Sequence, residues 1–511
     1  MPKYDFLILG GGIGGLSIAA LLATRGKRVC LLEKSSALGG WAKTERIGDF
    51  QFVTGAQYLN GAEPSGSMRK FLSAIGIGNE MKFNNLDPNG YDIALSNNVR
   101  FAIPSGVDNF VKKLQQHFPN EAVAIADYFS LTKTICNEVD IDSGIVHTKK
   151  VLSGLWGYKT FVRHLPLTPA DVFKRFNFSP ELKFILYSQG GDLGLPSHKS
   201  SFPLLAALHN LYGTSAVFPA NGIEFLLDNI AAVIKGQPGC DIILNCGVEE
   251  ITHGAGSVSG VKTTHGVFEA TEYISNLDPN LTYELAGRAK KPLAYSDAPF
   301  VLNLCFDKYD ITPHGFGNFN YWIHGSDDPD HGFVQMRESL LPKDPWIFLS
   351  TPSHTADPGK VAPLGSSSMT MLTFASFEKL AAMQKNSSAS FQDFSSALEQ
   401  HFFDVLAKKF RLPKEPVSAK TWKTPFDFAA EVGVPAGNVY GPELSPQNYS
   451  LFKISQKSVF KNLAFNGAAS AFPGIMPICV GAMDLCDRLL KVEPGYINLL
   501  GTKFKSGKKA S

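Results

Sequence analysis

The glycine cluster Gly10-Gly11-Gly12-Ile13-Gly14-Gly15 restricts the fold of this chain more than any other stretch. It follows the short apolar run Tyr4–Leu9, which reads as a buried parallel strand, and Leu16–Arg25 then reads as a helix. Arg28–Leu32 reads as a second strand, ending at Glu33, 18 positions beyond Gly15. Gly10, Gly12 and Gly15 stand in the spacing GxGxxG. The first glycine permits a sharp turn, the second lets a pyrophosphate approach the backbone, and the third lets helix and strand pack closely. The helix start offers unpaired N–H groups to the anion, Ile13 and Gly14 of the turn before it join the cofactor candidates, and Glu33 is placed to accept ribose hydroxyls. The fold class expected is α/β, with a Rossmann-like dinucleotide-binding unit.

Phe6–Ala23 is apolar throughout and superficially fits a membrane anchor, but five glycines in its middle would break a spanning helix. No other stretch is long and apolar enough. Across 511 residues the chain is 44% hydrophobic and 18% charged with net charge +2, an ordinary globular composition without the field a nucleic-acid partner needs. The seven cysteines form no C-x-x-C, and most sit among apolar neighbours, so neither a disulfide framework nor a thiolate metal site is expected. A reducing, cytoplasmic compartment follows. The histidines show no H-E-x-x-H, so no metal is expected. Phenylalanine is over-used, with 38 residues, which hints at an apolar ligand cavity.

Beyond Glu33 come Lys34, Gly39-Gly40, Trp41, Thr44 and Phe52-Val53-Thr54-Gly55. This resembles the extended N-terminal signature of two-domain FAD enzymes, the superfamily of amine oxidases and phytoene desaturases. There the second glycine pair and the Ser/Thr after it lie along the pyrophosphate and ribityl chain, so the resemblance implies FAD rather than NAD. It adds Lys34, Gly39, Gly40, Trp41 and Thr44 to the cofactor candidates. A second glycine-rich stretch, Gly254–Gly260, is spaced GxGxxxG between two β-like runs and reads as a hairpin turn. No separate NADPH fingerprint is therefore expected.

Flavin-type segments recur in the middle and near the end of the chain. The domain division expected is a discontinuous FAD-binding domain (1–75, 215–290 and 431–500), an interleaved α+β substrate domain (76–214 and 291–430) and a basic tail (501–511). The segments GGGIGGL at 10–16, FQFVTGAQYL at 50–59, AVFPANG at 216–222, ISNLDP at 274–279, NYW at 320–322 and NLAFNG…FPG at 462–474 resemble the carotenoid isomerase and retinol saturase branch of the phytoene desaturase family. By that resemblance Val248 contacts the adenine end through its backbone, and the stretch holding Gly467, Met476 and Pro477 faces the isoalloxazine. Three positions depart from the pattern: Ala468 and Val53 stand where acids are common, and Met476 replaces a glycine.

The resemblance implies a flavin-dependent oxidoreductase or redox-neutral isomerase acting on carbon–carbon double bonds of an apolar polyene. Tyr58, Tyr212, Tyr321 and Trp322 fall in or near matching segments and are candidates for the substrate cavity, against the plainer reading of core aromatics. His209 and His324 read as core histidines, and no catalytic residue is named. Two rivals share the fold. One is a flavin amine oxidase, with Cys479 near the position of a covalent flavin link. The other is an escort or GDP-dissociation-inhibitor-like carrier of lipid without flavin. Peripheral membrane contact is expected through Ser143–Ala170, where Lys149, Lys150, Lys159 and Arg163 alternate with Trp156, Tyr158 and Phe161 and no acid follows Ser143 before Ala170. Lys503, Lys505, Lys508 and Lys509 of the tail add to it.

Overall fold

The computed structural model describes residues 3–139, 155–211, 215–339, 343–448, 456–470, 473–492 and 497. Tyr212, Lys149, Lys150 and the basic tail lie outside them.

A five-stranded parallel sheet runs Leu463–Phe465, Ala270–Ser275, Tyr4–Leu9, Val29–Leu32, Asp241–Ile243. Its strands are almost wholly apolar because both faces are covered. Helices Ile13–Ala23, Ile223–Lys235 and Ile475–Leu489 pack together over it, and every residue of the first is buried. That helix begins three residues earlier than its sequence suggests. Helix propensity argues against glycines in a first turn, yet tertiary packing requires them: a Cβ on Gly15 would lie 2.0 Å from the Gly10 carbonyl oxygen. The stretch Gly254–Gly260 is a turn, as expected. Strands Val248–Gly254 and Ser257–Thr263 pair antiparallel across Ala255 and Gly256, both at positive φ (49° and 78°), the twist a two-residue hairpin favours.

The second sheet has seven strands in the order Ala419–Lys423, Ala298–Phe306, Ser367–Ala375, Ile347–Ser350, Asn320–Ile323, Asp92–Leu95, Arg100–Ile103. Side-chain alternation gives it two destinations. Phe300, Leu302, Tyr321, Leu349 and Met371 point to the long helix Ser388–Phe410, whose Phe394, Leu398 and Phe402 complete a core. Trp322, Phe348, Leu372 and Phe374 point the other way, toward the flavin-type domain. Most of the described phenylalanines fill these cores. Of the phenylalanines among the described residues, only Phe348 and Phe374 reach the cavity described below, so the phenylalanine surplus there reports core packing rather than ligand space.

Candidate functional site

A cavity of about 380 Å³ runs from the glycine turn to the inner face of the seven-stranded sheet. Gly10, Gly12, Ile13, Gly14, Glu33, Gly39, Gly40 and Trp41 line one end, and Gly467, Ala468, Met476 and Pro477 line its side. Leu208, Trp322, Trp346, Phe348, Leu372 and Phe374 form the apolar far end. Four of the expected cofactor positions lie off this wall. Gly15 is packed into the helix–strand contact, and Lys34 runs beneath Gly433. Thr44 opens the strand Thr44–Ile47, leaving Thr54 as the lining threonine. Val248 opens the hairpin and packs against the apolar cluster beneath it.

The turn is shaped by its backbone. Gly10 has φ +96°, a conformation only glycine adopts without strain. Gly12 precedes the helix in extended conformation and makes no side-chain cap, so the first helical N–H groups are left for an anion. Asn276, which the sequence reading passed over, lies against Gly10, Gly12 and Gly14, and Asn466 Nδ2 donates to the Gly14 carbonyl at 2.8 Å. Both side chains tie the last two strands of the sheet to the phosphate turn. Glu33 accepts from the Gly11 N–H at 2.6 Å and the Ser35 N–H at 2.8 Å, which fixes its carboxylate at the cavity edge with lone pairs to spare. Trp41 Nε1 is buried in the wall without a partner in the protein, a donor suited to a polar ligand. A glycine cradle, an uncapped helix start, a fixed acid and an orphaned donor fit FAD.

The far end holds a group of polar residues that no motif announced. Asp92, fully buried on the strand Asp92–Leu95, accepts from Asn320 Nδ2 (2.9 Å), Trp322 Nε1 (2.8 Å), Gln189 Nε2 (2.7 Å) and Tyr58 Oη (3.0 Å). Tyr58 Oη is also 3.3 Å from Asp192 Oδ2. Asp192 and Tyr58 line the cavity, whereas Asp92 lies behind them. Burial, with the neighbouring Asp92 charge, pushes Asp192 up to about 8, and burial raises Asp92 as well.

Of the aromatic candidates, Tyr58 and Trp322 line the cavity and Tyr321 does not. Tyr321 is one residue from Trp322 on the same strand and therefore on the opposite face, where its hydroxyl donates to the Gly315 carbonyl. His209 and His324 are core groups: their Nε2 atoms lie 2.9 Å from the carbonyls of Leu186 and Ser188, and burial lowers each to about 4. Cys479 is fully buried and lies 3.2 Å from Ser17 Oγ between two helices, turned away from the cavity. It holds no position for a covalent flavin link.

Comparison with known proteins decides the family. The model for flavin containing amine oxidoreductases matches residues 13–480. The chain belongs to that family. An all-trans-retinol 13,14-reductase of Danio rerio is 23% identical over 525 residues, covering 94% of this chain and 84% of its own. A chloroplastic prolycopene isomerase of Daucus carota is 26% identical over 450 residues, covering 82% and 70% respectively. A solved oxidoreductase from Methanosarcina mazei superposes with a TM-score of 0.63 at 15% identity, over 94% of this chain and 99% of that one, which shows the fold. This flavin oxidoreductase is thus an FAD-dependent enzyme, and its resemblance to the retinol saturase and carotenoid isomerase branch holds. The flavin-free carrier is set aside. Among the described residues no helix is long and apolar enough to cross a membrane, and no cluster of His, Cys, Asp or Glu is placed to hold a metal.

Proposed function

We propose that this enzyme uses FAD to saturate one carbon–carbon double bond of an apolar conjugated polyene of retinoid or carotenoid type. The observation that carries the reading is the unbroken passage from the phosphate turn to an end walled by Trp322, Trp346, Phe348 and Phe374. A polyene carries no charged anchor, and its binding scales with apolar area, about 0.8 kcal/mol per buried methylene-sized unit. The relatives named above act by name on such compounds. Bound along Gly10–Gly14, Gly39–Gly40, Gly467, Met476 and Pro477, FAD would supply hydride chemistry. The protein contributes position and exclusion of water. The division into a discontinuous flavin domain and an interleaved substrate domain belongs to the same reading.

The setting proposed is cytoplasmic and peripheral to a membrane, where polyenes partition. Seven free, buried cysteines support a reducing compartment. Of the expected docking segment, Lys159 and Arg163 are exposed, but Phe161 is buried in the core, so it is not available for insertion.

The test offers all-trans-retinol, a carotenoid and simple primary amines to the FAD-loaded enzyme and separates the products. Polyene product with two added hydrogens from reduced enzyme, and no peroxide from amines, is the expected result. Turnover confined to amines, with peroxide release, would overturn the reading in favour of an amine oxidase.

A further inference from the structure

We propose that Asp192 is the general acid of this site, holding a proton against Tyr58 Oη and giving it to the substrate carbon that does not receive hydride. The inference rests on the polyene reading above and assigns the proton that saturation requires.

Hydrogen-bond accounting places the proton. A carboxylate offers about four acceptor positions, and Asp92 meets four donors, with Trp322, Gln189 and Tyr58 converging on Oδ2 and Asn320 on Oδ1. The indole and the two amides present N–H groups, so Asp92 is satisfied as the ionised partner. Tyr58 has one hydroxyl hydrogen, and at 3.0 Å it is committed to Asp92. Asp192 Oδ2, 3.3 Å from the same oxygen, therefore faces a lone pair and bonds only if it carries its own proton. Two carboxylates sharing one buried phenol do not both ionise. The titratable groups facing Asp192 are Asp92 and Tyr58, with Tyr91 behind Gln189; burial raises Tyr91 too, so it stays neutral.

Geometry aims this proton into the cavity. Asp192 ends the short turn Gly190–Asp192, which is pressed onto Trp322 and Trp346: a Cβ on Gly191 would lie 2.4 Å from the Trp322 ring. Tyr440 Oη donates to the Gly191 carbonyl at 3.0 Å and holds the turn from the other side. Asp192 thus stands on the same wall as the aromatic end, while Asp92 is shielded from substrate.

In the step proposed, the double bond's π pair forms a C–H bond with the Asp192 proton. The neighbouring carbon accepts a hydride from the reduced flavin. The substrate gains two electrons, the flavin loses two, and Asp192 is left as carboxylate, to be reprotonated from water entering after product leaves. A two-electron donor, dithionite in the test, restores the flavin. Asp92 and Tyr58 are positioning residues.

The experiment compares the FAD-loaded wild type with Asp192→Asn, reduced and given all-trans-retinol in D₂O, and follows the melting of both proteins across pH. Wild type is expected to add solvent deuterium at both carbons of the saturated bond, one from Asp192 and one from the reduced flavin, whose transferable hydrogen also exchanges with solvent. The Asn variant is expected to keep its fold and flavin spectrum but to saturate the polyene about 10²–10⁴-fold more slowly, the range of general-acid catalysis. The melting comparison needs no turnover. Folded Asp192 holds a proton up to about 8, well above the ordinary aspartate range that applies in the unfolded chain, so wild type loses stability as pH rises through that window. Asparagine escapes that loss, and its melting temperature should gain on wild type across the window. Equal saturation rates in the two proteins, or a melting difference that stays flat with pH, would overturn the assignment. Wild type that melts as expected but saturates no polyene would instead overturn the function proposed above and the catalytic role with it, leaving only the position of the proton.

Discussion

Gly15→Val is expected to yield no folded protein, whereas Gly12→Val is expected to fold and lose FAD. At Gly15 the added Cβ meets a backbone carbonyl at 2.0 Å, inside a helix whose every residue is buried. Neither helix nor strand can retreat without opening the central sheet, and backbone displacement in a packed core belongs with the costs above about 4–5 kcal/mol. Gly12 differs in kind. Its φ of −69° and ψ of 174° suit any residue, and its Cβ crowds only the tip of the Asn276 side chain at 2.7 Å. A valine there fills cavity space along the phosphate turn instead of splitting the core. Thermal melting and flavin absorbance of the two purified variants separate these outcomes. A cooperative melt for Gly15→Val, or full flavin in Gly12→Val, would contradict the site.

Asp92→Ala is expected to destabilise the fold by about 3–5 kcal/mol, and Asp92→Asn by about 1–2 kcal/mol. Alanine leaves donors from Tyr58, Gln189, Asn320 and Trp322 aimed at a methyl group, and each buried orphan costs about 1–3 kcal/mol. Release of a buried charge offsets part of the loss, which keeps the total below the sum of the four. Asparagine retains one acceptor oxygen for Trp322, Gln189 and Tyr58, while Asn320 turns its own amide to accept from the new NH₂. Urea unfolding of the two variants measures the difference. Equal losses would mean that the hydrogen bonds to Asp92 contribute little.

The cofactor end of the cavity was legible in the sequence because its physics is local. A turn needing positive φ at Gly10 and close approach at Gly15 has few chemical solutions, and all of them lie within a few dozen residues. The substrate end was not legible in the same way. Asp92 and Asp192 are 100 positions apart and meet only because a sheet strand and a short turn converge on Tyr58. The choice between Tyr321 and Trp322 depends on which face of a strand looks inward, and that depends on register with Phe348 and Leu349. A motif match around both residues carries no such information. The phenylalanine count misled for a related reason: composition records how much apolar surface exists, not which of two cores receives it.

In the proposed reaction, electrons pass from flavin to a carbon–carbon double bond. Anaerobic mixing of dithionite-reduced, FAD-loaded enzyme, freed of excess reductant, with all-trans-retinol tests it directly. The visible flavin band should return as the polyene absorbance falls, with one double bond saturated for each flavin reoxidised. A flavin that stays bleached beside retinol that is unchanged, or changed only in double-bond geometry, would contradict it.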